Sequence, residues 1–169
     1  MNWLKDKNGV MALGAVASVV LDQLTKALII WRLPADASVP IIPGFFELYH
    51  AHNPGASFNL LRGQPVPFFL FTSGLAILFV IYYFVRLDRR ELGLAAALSL
   101  ILGGALGNNL LDRLRHGFVI DFLRIYHGRW SWPTFNVADI SIVVGVGIFA
   151  LTMLRDDARR RQERVAANG

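Results

Sequence analysis

The chain has 169 residues, of which 54% are hydrophobic and 17% charged, and its formal net charge is +5 at pH 7. This hydrophobic fraction argues against a soluble globule of the same length. The absence of cysteine excludes disulfides, thiolate metal sites and a cysteine nucleophile. The positive charge does not indicate nucleic-acid binding, because it is concentrated beside long apolar segments.

Four apolar segments are long enough to cross about 30 Å of hydrocarbon at roughly 1.5 Å per residue. They cover residues 10–31, 66–85, 92–111 and 137–154. A soluble helix needs one apolar face, whereas residues 68–85 are apolar nearly all round. The first segment is too long for the apolar part of a cleavable signal peptide and contains Asp22 and Lys26. The predicted fold class is therefore an all-α membrane protein with four transmembrane helices in one domain, residues 1–169.

Basic residues cluster on one side of this four-span arrangement. They precede the first span, join the second to the third, or follow the fourth: Lys5, Lys7, Arg86, Arg89, Arg90, Arg155, Arg159, Arg160, Arg161 and Arg164. By the positive-inside rule, this side and both termini are predicted to be cytoplasmic. The arginine-rich tail is expected to contact anionic headgroups.

Two connections are then predicted to lie outside. Residues 32–65 contain a run of strand formers at 45–50, a turn signal at Asn53-Pro54-Gly55 and a second short run at 57–61. These features predict a small extracytoplasmic β-sheet at about residues 40–62. The second connection contains Trp130 and Trp132, which favour the membrane interface. It is predicted to include a short extracytoplasmic helix at about residues 122–132.

Ionisable residues within spans are functional candidates because burying them in lipid costs free energy. Asp22 and Lys26 are four residues apart on one helix face, where they could form a structural salt bridge or orient a group at a site. At the end of the third span, Asn109 and Asp112 share a face beside Arg113. Arg113 could extend towards the outer surface or pair with a carboxylate.

Two further carboxylates are predicted to lie at the same depth near the outer face. Asp121 follows the third span among apolar residues, and Asp139 begins the fourth. Each has a simple alternative explanation, as a loop residue or as an acid in the first turn of a helix. Two close, partly desolvated carboxylates share a proton, so one can activate water while the other protonates the substrate. The four histidines are interpreted as surface residues.

Five motifs, in order along the chain, resemble those of the lipoprotein signal peptidases, also called signal peptidase II. They are Leu21 to Lys26, Asn53 to Phe58, Asn109 to Arg113, Val119 to Phe122 and Phe135 to Asp139. The resemblance implies an aspartyl endopeptidase of the bacterial inner membrane that removes the signal peptide from prolipoproteins. It implies cleavage on the amino side of a diacylglyceryl-modified cysteine, with a β-cradle and a mobile helix outside the membrane.

The resemblance also implies roles for individual residues. Asp121 and Asp139 correspond to the catalytic pair, and the substrate-binding and supporting residues are Asn53, Gly55, Asn109, Arg113, Asn136, Ala138, Asp22 and Lys26. It implies no metal or organic cofactor, a membrane-lipid environment, no nucleic-acid partner, a monomer, and inhibition by substrate-mimicking cyclic peptides such as globomycin. The motif normally has glycine where Asn108 stands, so a one-residue bulge would make Asn108 the site residue instead of Asn109.

Two other functions are compatible with the same features. A small transporter or proton pathway could use Asp22, Lys26, Asp112 and Asp139 as a relay, although such a relay predicts ionisable groups spread towards the inner side. A non-catalytic protein could instead bind lipidated peptides. Retention of both aspartates argues against that second alternative.

Overall fold

The computed structural model describes residues 6–55 and 63–167. Its elements are α1 (Lys7–Arg32), β1 (Ser38–Ile42), β2 (Phe46–Asn53), α2 (Val66–Arg86), α3 (Leu92–Ala105), a π-helical segment (Leu106–Asp112), α4 (Arg113–His116), β3 (Val119–His127), β4 (Trp130–Ser131) and α5 (Val137–Ala167). The predicted strand-forming run 57–61, the motif residues 56–58 and Lys5 lie outside the described residues. The same applies to the side chains of Arg160, Arg161 and Arg164.

Within the described chain, four helices are long and apolar enough to cross a membrane: Lys7–Arg32, Val66–Arg86, Leu92–His116 and Val137–Arg159. The third combines α3, the π-helical segment and α4. The prediction of four spans is confirmed. Large apolar side chains such as Leu24, Leu78 and Val143 are exposed on the outer surfaces of these helices, as expected where the surrounding solvent is lipid.

The third span is the central helix of the bundle. Ala95, Ala97 and Leu98 on α3 are almost completely buried. Small residues allow this close packing: a Cβ added at Gly103 would lie 2.5 Å from the Ser18 Cβ of α1. On the other side of α3, a Cβ added at Gly145 of α5 would lie 2.7 Å from the Ala97 carbonyl oxygen. α1 and α5 are thereby held on either side of the third span, which positions the polar residues at its C-terminal end.

The four strands of the described chain form an antiparallel sheet in the order β1-β2-β3-β4. β2 pairs with β3 so that Ala51 lies opposite Asp121 and Asn53 opposite Val119, with a register shift between Leu48 and Ala51. Residues 46–50 of the predicted run 45–50 lie in β2. The sheet extends beyond the predicted 40–62 region, because β3 and β4 come from the connection between the third and fourth spans.

The prediction of a helix at about residues 122–132 is wrong. Residues Val119–His127 form β3 and Trp130–Ser131 form β4. β3 satisfies its backbone groups on both sides: it pairs with β2, and Leu123 exchanges backbone hydrogen bonds with Phe135. Since β2 offers an unpaired edge and β3 is rich in β-branched and aromatic residues, pairing across the sheet is favoured over a local helix.

Candidate active site

Asp121 is a buried residue in the middle of β3, with 2% of its surface exposed. Each of its carboxylate oxygens accepts a hydrogen bond from a side-chain amide. Asn53 at the end of β2 donates from Nδ2 to Oδ2 at 2.8 Å, and Asn136 donates from Nδ2 to Oδ1 at 2.7 Å. The β2–β3 pairing and the residue before α5 therefore fix the orientation of this carboxyl group.

Asp139 lies in the first turn of α5. Its Oδ2 accepts a hydrogen bond from the Asn136 backbone N–H at 3.0 Å, and its own N–H donates to Asn136 Oδ1 at 3.0 Å. This reciprocal pair is a capping box, which satisfies free donors at a helix start. Asn108 Nδ2 donates to the second oxygen, Oδ1, at 2.8 Å. The predicted first-turn position of Asp139 is thus combined with a contact to the third span.

Asn136 connects the two aspartates, since its Nδ2 donates to Asp121 while its Oδ1 accepts from Asp139. Burial, followed by the negative charge of Asp139, raises the pKa of Asp121 from 3.8 to about 7. Hydrogen bonds from Asn53 and Asn136 act in the opposite direction. A carboxyl group with this pKa can hold a proton or release it near neutral pH, as an acid–base catalyst must.

A buried ion cluster lies beneath the aspartates. Lys26 Nζ lies 2.8 Å from Asp22 Oδ2 and 2.7 Å from Asp112 Oδ2, and all three side chains are at most 2% exposed. The other oxygen of Asp22 accepts the backbone N–H of Ala138 at 3.0 Å. Asp112 Oδ2 also accepts the N–H of Ile120 at 3.1 Å. The cluster therefore binds the backbone next to each aspartate of the site, and Asp22 and Lys26 do form the predicted ion pair.

Arg113 is buried, with 3% of its surface exposed, and points into the site instead of extending to the surface. Its guanidinium donates to the carbonyls of Gly55 and Pro54 and lies 3.8 Å from the centre of the Phe69 ring. Arg113 therefore does not extend to the surface, and its positive charge faces the carboxylates of Asp121 and Asp112. Within the described chain, its buried Nε has no hydrogen-bond partner.

The third span widens to a π-helix over Leu106–Asp112. This widening shifts the register by one residue, and π segments are frequent at functional sites. Both Asn108 and Asn109 line the cavity, but Asn108 is the one that bonds to Lys26 and Asp139. The one-residue bulge that the sequence analysis considered for this part of the third span is therefore present.

Both aspartates line a cavity of about 610 Å³ between the sheet, the C-terminal end of the third span and the N-terminal part of α5. Five of the predicted supporting residues line it or bond directly to its aspartates: Asn53, Gly55, Asn109, Arg113 and Asn136. Ala138, Asp22 and Lys26 lie behind the cavity wall. Most of the remaining lining is apolar and includes Trp130, Trp132, Ile140 and Val143. The arrangement offers paired acids to a substrate with a large apolar part.

Two contacts outside the cavity were not predicted from the sequence. Gln23 donates to Asp22 Oδ2 at 3.1 Å and to Asp112 Oδ1 at 2.9 Å. Its position within the first motif, beside Asp22, was an available signal. His50, interpreted as a surface residue, is instead buried, and its ring Nδ1 bonds to the Leu33 carbonyl oxygen at 2.8 Å. That position depends on the packing of β2 below α1, which a single sequence does not reveal.

No group of three or more His, Asp or Glu side chains in residues 6–55 and 63–167 is arranged to hold a metal ion.

Comparisons with known proteins agree on one family. A family model described as signal peptidase (SPase) II matches residues 14–155. A lipoprotein signal peptidase of Syntrophotalea carbinolica is 40% identical over 154 residues, which is 90% of this chain and 95% of that protein. One from Geobacter sulfurreducens is 43% identical over 147 residues, covering 86% of this chain and 91% of its own length.

A solved structure of a bacterial membrane enzyme, obtained by the in meso method at 2.3 Å resolution, has the same fold. The TM-score is 0.82 at 32% identity, covering 89% of this chain and 91% of the other. A second such structure, at 1.9 Å resolution, gives a TM-score of 0.76 with the same identity. With the family model matching most of its length and its fold shared with these enzymes, the chain belongs to the signal peptidase II family.

Proposed function

We propose that the protein is an aspartic endopeptidase that removes the signal peptide from diacylglyceryl-modified prolipoproteins, cutting on the amino side of the lipidated cysteine. The observation that carries this proposal is the pair of buried carboxyl groups, Asp121 and Asp139, which are linked through Asn136 and line one cavity. The relatives named lipoprotein signal peptidases support the choice of substrate.

The two carboxyl groups divide the proton transfers between them. The charged carboxylate takes a proton from a water molecule as the water oxygen bonds to the scissile carbonyl carbon, and the protonated carboxyl group donates its proton to the carbonyl oxygen. The tetrahedral intermediate then collapses: the C–N bond breaks, the leaving amine receives the proton taken from water, and the carboxylate that had donated its proton takes one back from a hydroxyl of the intermediate as the product carbonyl forms. The pKa of about 7 for Asp121 allows one carboxyl of the pair to carry a proton near neutral pH.

The cavity walls match the chemistry of a lipidated peptide. Asn53 and Arg113 provide amide and guanidinium groups beside the aspartates, and such groups can hold a peptide backbone. On α5, Val143 lines the cavity and is 70% exposed, so this wall continues into the lipid-facing surface. A substrate can therefore approach from the bilayer with its acyl chains remaining in lipid, while its scissile bond reaches the carboxyl groups.

The site is assigned to the outer face of the bacterial cytoplasmic membrane, with both termini in the cytoplasm. The positive-inside distribution of Lys and Arg supports this orientation. Because the chain has no cysteine, a single cysteine placed in the loop 87–91 reports on its own location. A cell-impermeant thiol reagent should leave this cysteine unlabelled in intact cells, and efficient labelling would overturn the orientation.

We further propose that substrate-mimicking cyclic peptides such as globomycin bind in the same cavity, and that the protein acts as a monomer. Competition between globomycin and the peptide substrate would test the shared site.

The decisive experiment is cleavage of a diacylglyceryl-modified prolipoprotein peptide by purified protein in detergent. Wild type should cut at the modified cysteine, while Asp121→Asn and Asp139→Asn should each lower kcat by at least about a hundredfold because an acid–base partner is lost. Asp36→Asn is a matched control: Asp36 lies outside the cavity and has a φ of 62°, which asparagine tolerates. It should retain wild-type turnover.

Normal turnover by either dyad variant would refute the catalytic assignment. Binding of the lipidated peptide without any cleavage by wild type would support the non-catalytic alternative instead.

A further inference from the structure

The buried ammonium of Lys26 has each of its three N–H bonds committed. Its Nζ lies 2.8 Å from Asp22 Oδ2, 2.7 Å from Asp112 Oδ2 and 2.6 Å from Asn108 Oδ1. An ammonium group has three donors and no acceptor, so three acceptors complete its hydrogen bonding. Two of the three acceptors are carboxylates. The third is the neutral amide of Asn108, which is not part of the ion cluster.

This arrangement determines the orientation of the Asn108 side chain. Because Lys26 can only donate, the carbonyl end of the amide must face it, and the NH₂ end must point the other way. Asn108 Nδ2 lies 2.8 Å from Asp139 Oδ1. The amide is therefore polarised by a buried positive charge on one side and presents a donor to a carboxylate on the other. Consecutive hydrogen bonds of this kind strengthen one another in a low-dielectric interior.

Among the described residues, the amide partners of Asp121 do not connect it to a cation in the same way. The carbonyl oxygen of Asn53 accepts the N–H of Gly55 at 3.0 Å, and that of Asn136 accepts the N–H of Asp139 at 3.0 Å. Both are neutral backbone donors. Asp139 additionally accepts a backbone N–H in the first turn of α5, where the helix dipole favours negative charge. The surroundings of the two carboxyl groups are therefore electrostatically unequal.

We propose that Lys26, acting through the Asn108 amide, is a positioning residue that places the resting negative charge of the pair on Asp139. Asp139 is then the group that activates water, and Asp121 holds the shared proton. This inference rests on the proposed peptidase function. Lys26 is buried, with 2% of its surface exposed, and acts by orienting and polarising Asn108.

Several charged groups surround Asp139. Lys26 and Asp22 face it from α1, and Asp121 faces it from β3. Arg113 of α4 lines the same cavity, and its charge acts on Asp121 without being joined to it through an amide. Removing the Lys26–Asn108 connection withdraws a donor that favours the charged form of the pair. The pair should then lose its first proton only at a higher pH. The acidic limb of the pH–activity profile should therefore move to higher pH.

The test is the pH dependence of kcat/KM for lipidated-peptide cleavage, measured from about pH 4.5 to 9 for wild type, Asn108→Leu, Lys26→Met and the double variant. A hydrogen bond to a charged group corresponds to about one to two pH units. Each single variant should move the acidic limb upwards by about this amount and regain activity at high pH. If Lys26 acts through Asn108, the double variant should shift no further than Asn108→Leu alone.

Gln23→Met is the matched control, because Gln23 contacts Asp22 and Asp112 but lies outside the path from Lys26 through Asn108 to Asp139. It should lower thermal stability and leave the acidic limb at its wild-type position. Lys26→Met leaves two buried carboxylates without their counter-charge and could fail to fold, in which case Asn108→Leu still decides the question.

An acidic limb of folded Asn108→Leu that coincides with wild type would overturn the inference. A Lys26→Met protein whose activity falls equally at every pH would do the same, since that result indicates a purely structural role. Failure of wild type to cleave the peptide at any pH would instead reject the proposed function.

Discussion

Burial of Asp121 should make the stability of the folded protein depend on pH, and Asp121→Asn should remove that dependence. The carboxyl is almost fully buried and accepts two amide hydrogen bonds. Asparagine has nearly the same shape but does not ionise. It also loses an acceptor for one of the two amides, which lowers stability by a similar amount at every pH. The informative quantity is therefore the change of stability with pH.

The size and sign of this pH dependence of stability follow from the pKa of Asp121. Burial and the charge of Asp139 raise that pKa from 3.8 to about 7. The folded state keeps a proton that the unfolded chain releases, so this group's favourable contribution is complete below about pH 4 and is lost as pH rises towards 7. At about 1.4 kcal/mol per pH unit, the total loss is about 4 kcal/mol. For a chain of this size, that corresponds to a change in Tm on the order of 10 °C.

Thermal unfolding in detergent, followed by the fluorescence of the four tryptophans, measures this change between about pH 4.5 and 8. As pH rises over this range, the Tm of wild type should fall steadily relative to the Tm of Asp121→Asn. The difference between the two Tm values should stop changing above the pKa of about 7. Asp36→Asn should follow wild type. Parallel curves for wild type and Asp121→Asn would refute the raised pKa and, with it, the view that desolvation controls this carboxyl.

Two further predictions concern the bundle. Gly103→Ala should lower stability by about 1–3 kcal/mol through overpacking, because the added Cβ would lie 2.8 Å from the Ala15 carbonyl oxygen. Gly147→Ala is the control, since the space around Gly147 is open, and it should show no such loss in thermal unfolding. Lys7→Met should lower Tm, with a loss of stability of about 1–3 kcal/mol, because Lys7 donates to carbonyls at the C-terminal end of α2. Lys7→Arg should restore most of this loss. An unchanged Tm for Lys7→Met would contradict the role of Lys7.

The sequence alone determined the spans, because the hydrophobic requirement of a bilayer applies to every residue of a segment and needs no knowledge of its neighbours. The predicted segment 66–85 corresponds to α2 (Val66–Arg86) with a one-residue difference in its end. The aspartates of the site were also identifiable from sequence, since an acid among apolar residues at a span end requires an explanation in any fold. Asp121 and Asp139 do line one cavity.

Only the tertiary structure decided that residues 119–131 contain strands and no helix. It also decided that Asn108, and not Asn109, bonds to Asp139. The strand β3 forms because β2 and Phe135 supply partners from distant parts of the chain, and local propensity contains no information about such partners. Asn108 faces Asp139 because a π-helical turn shifts the third span by one residue. That shift is stabilised by side chains of α1 and α5, so it depends on contacts that exist only once the helices have packed together.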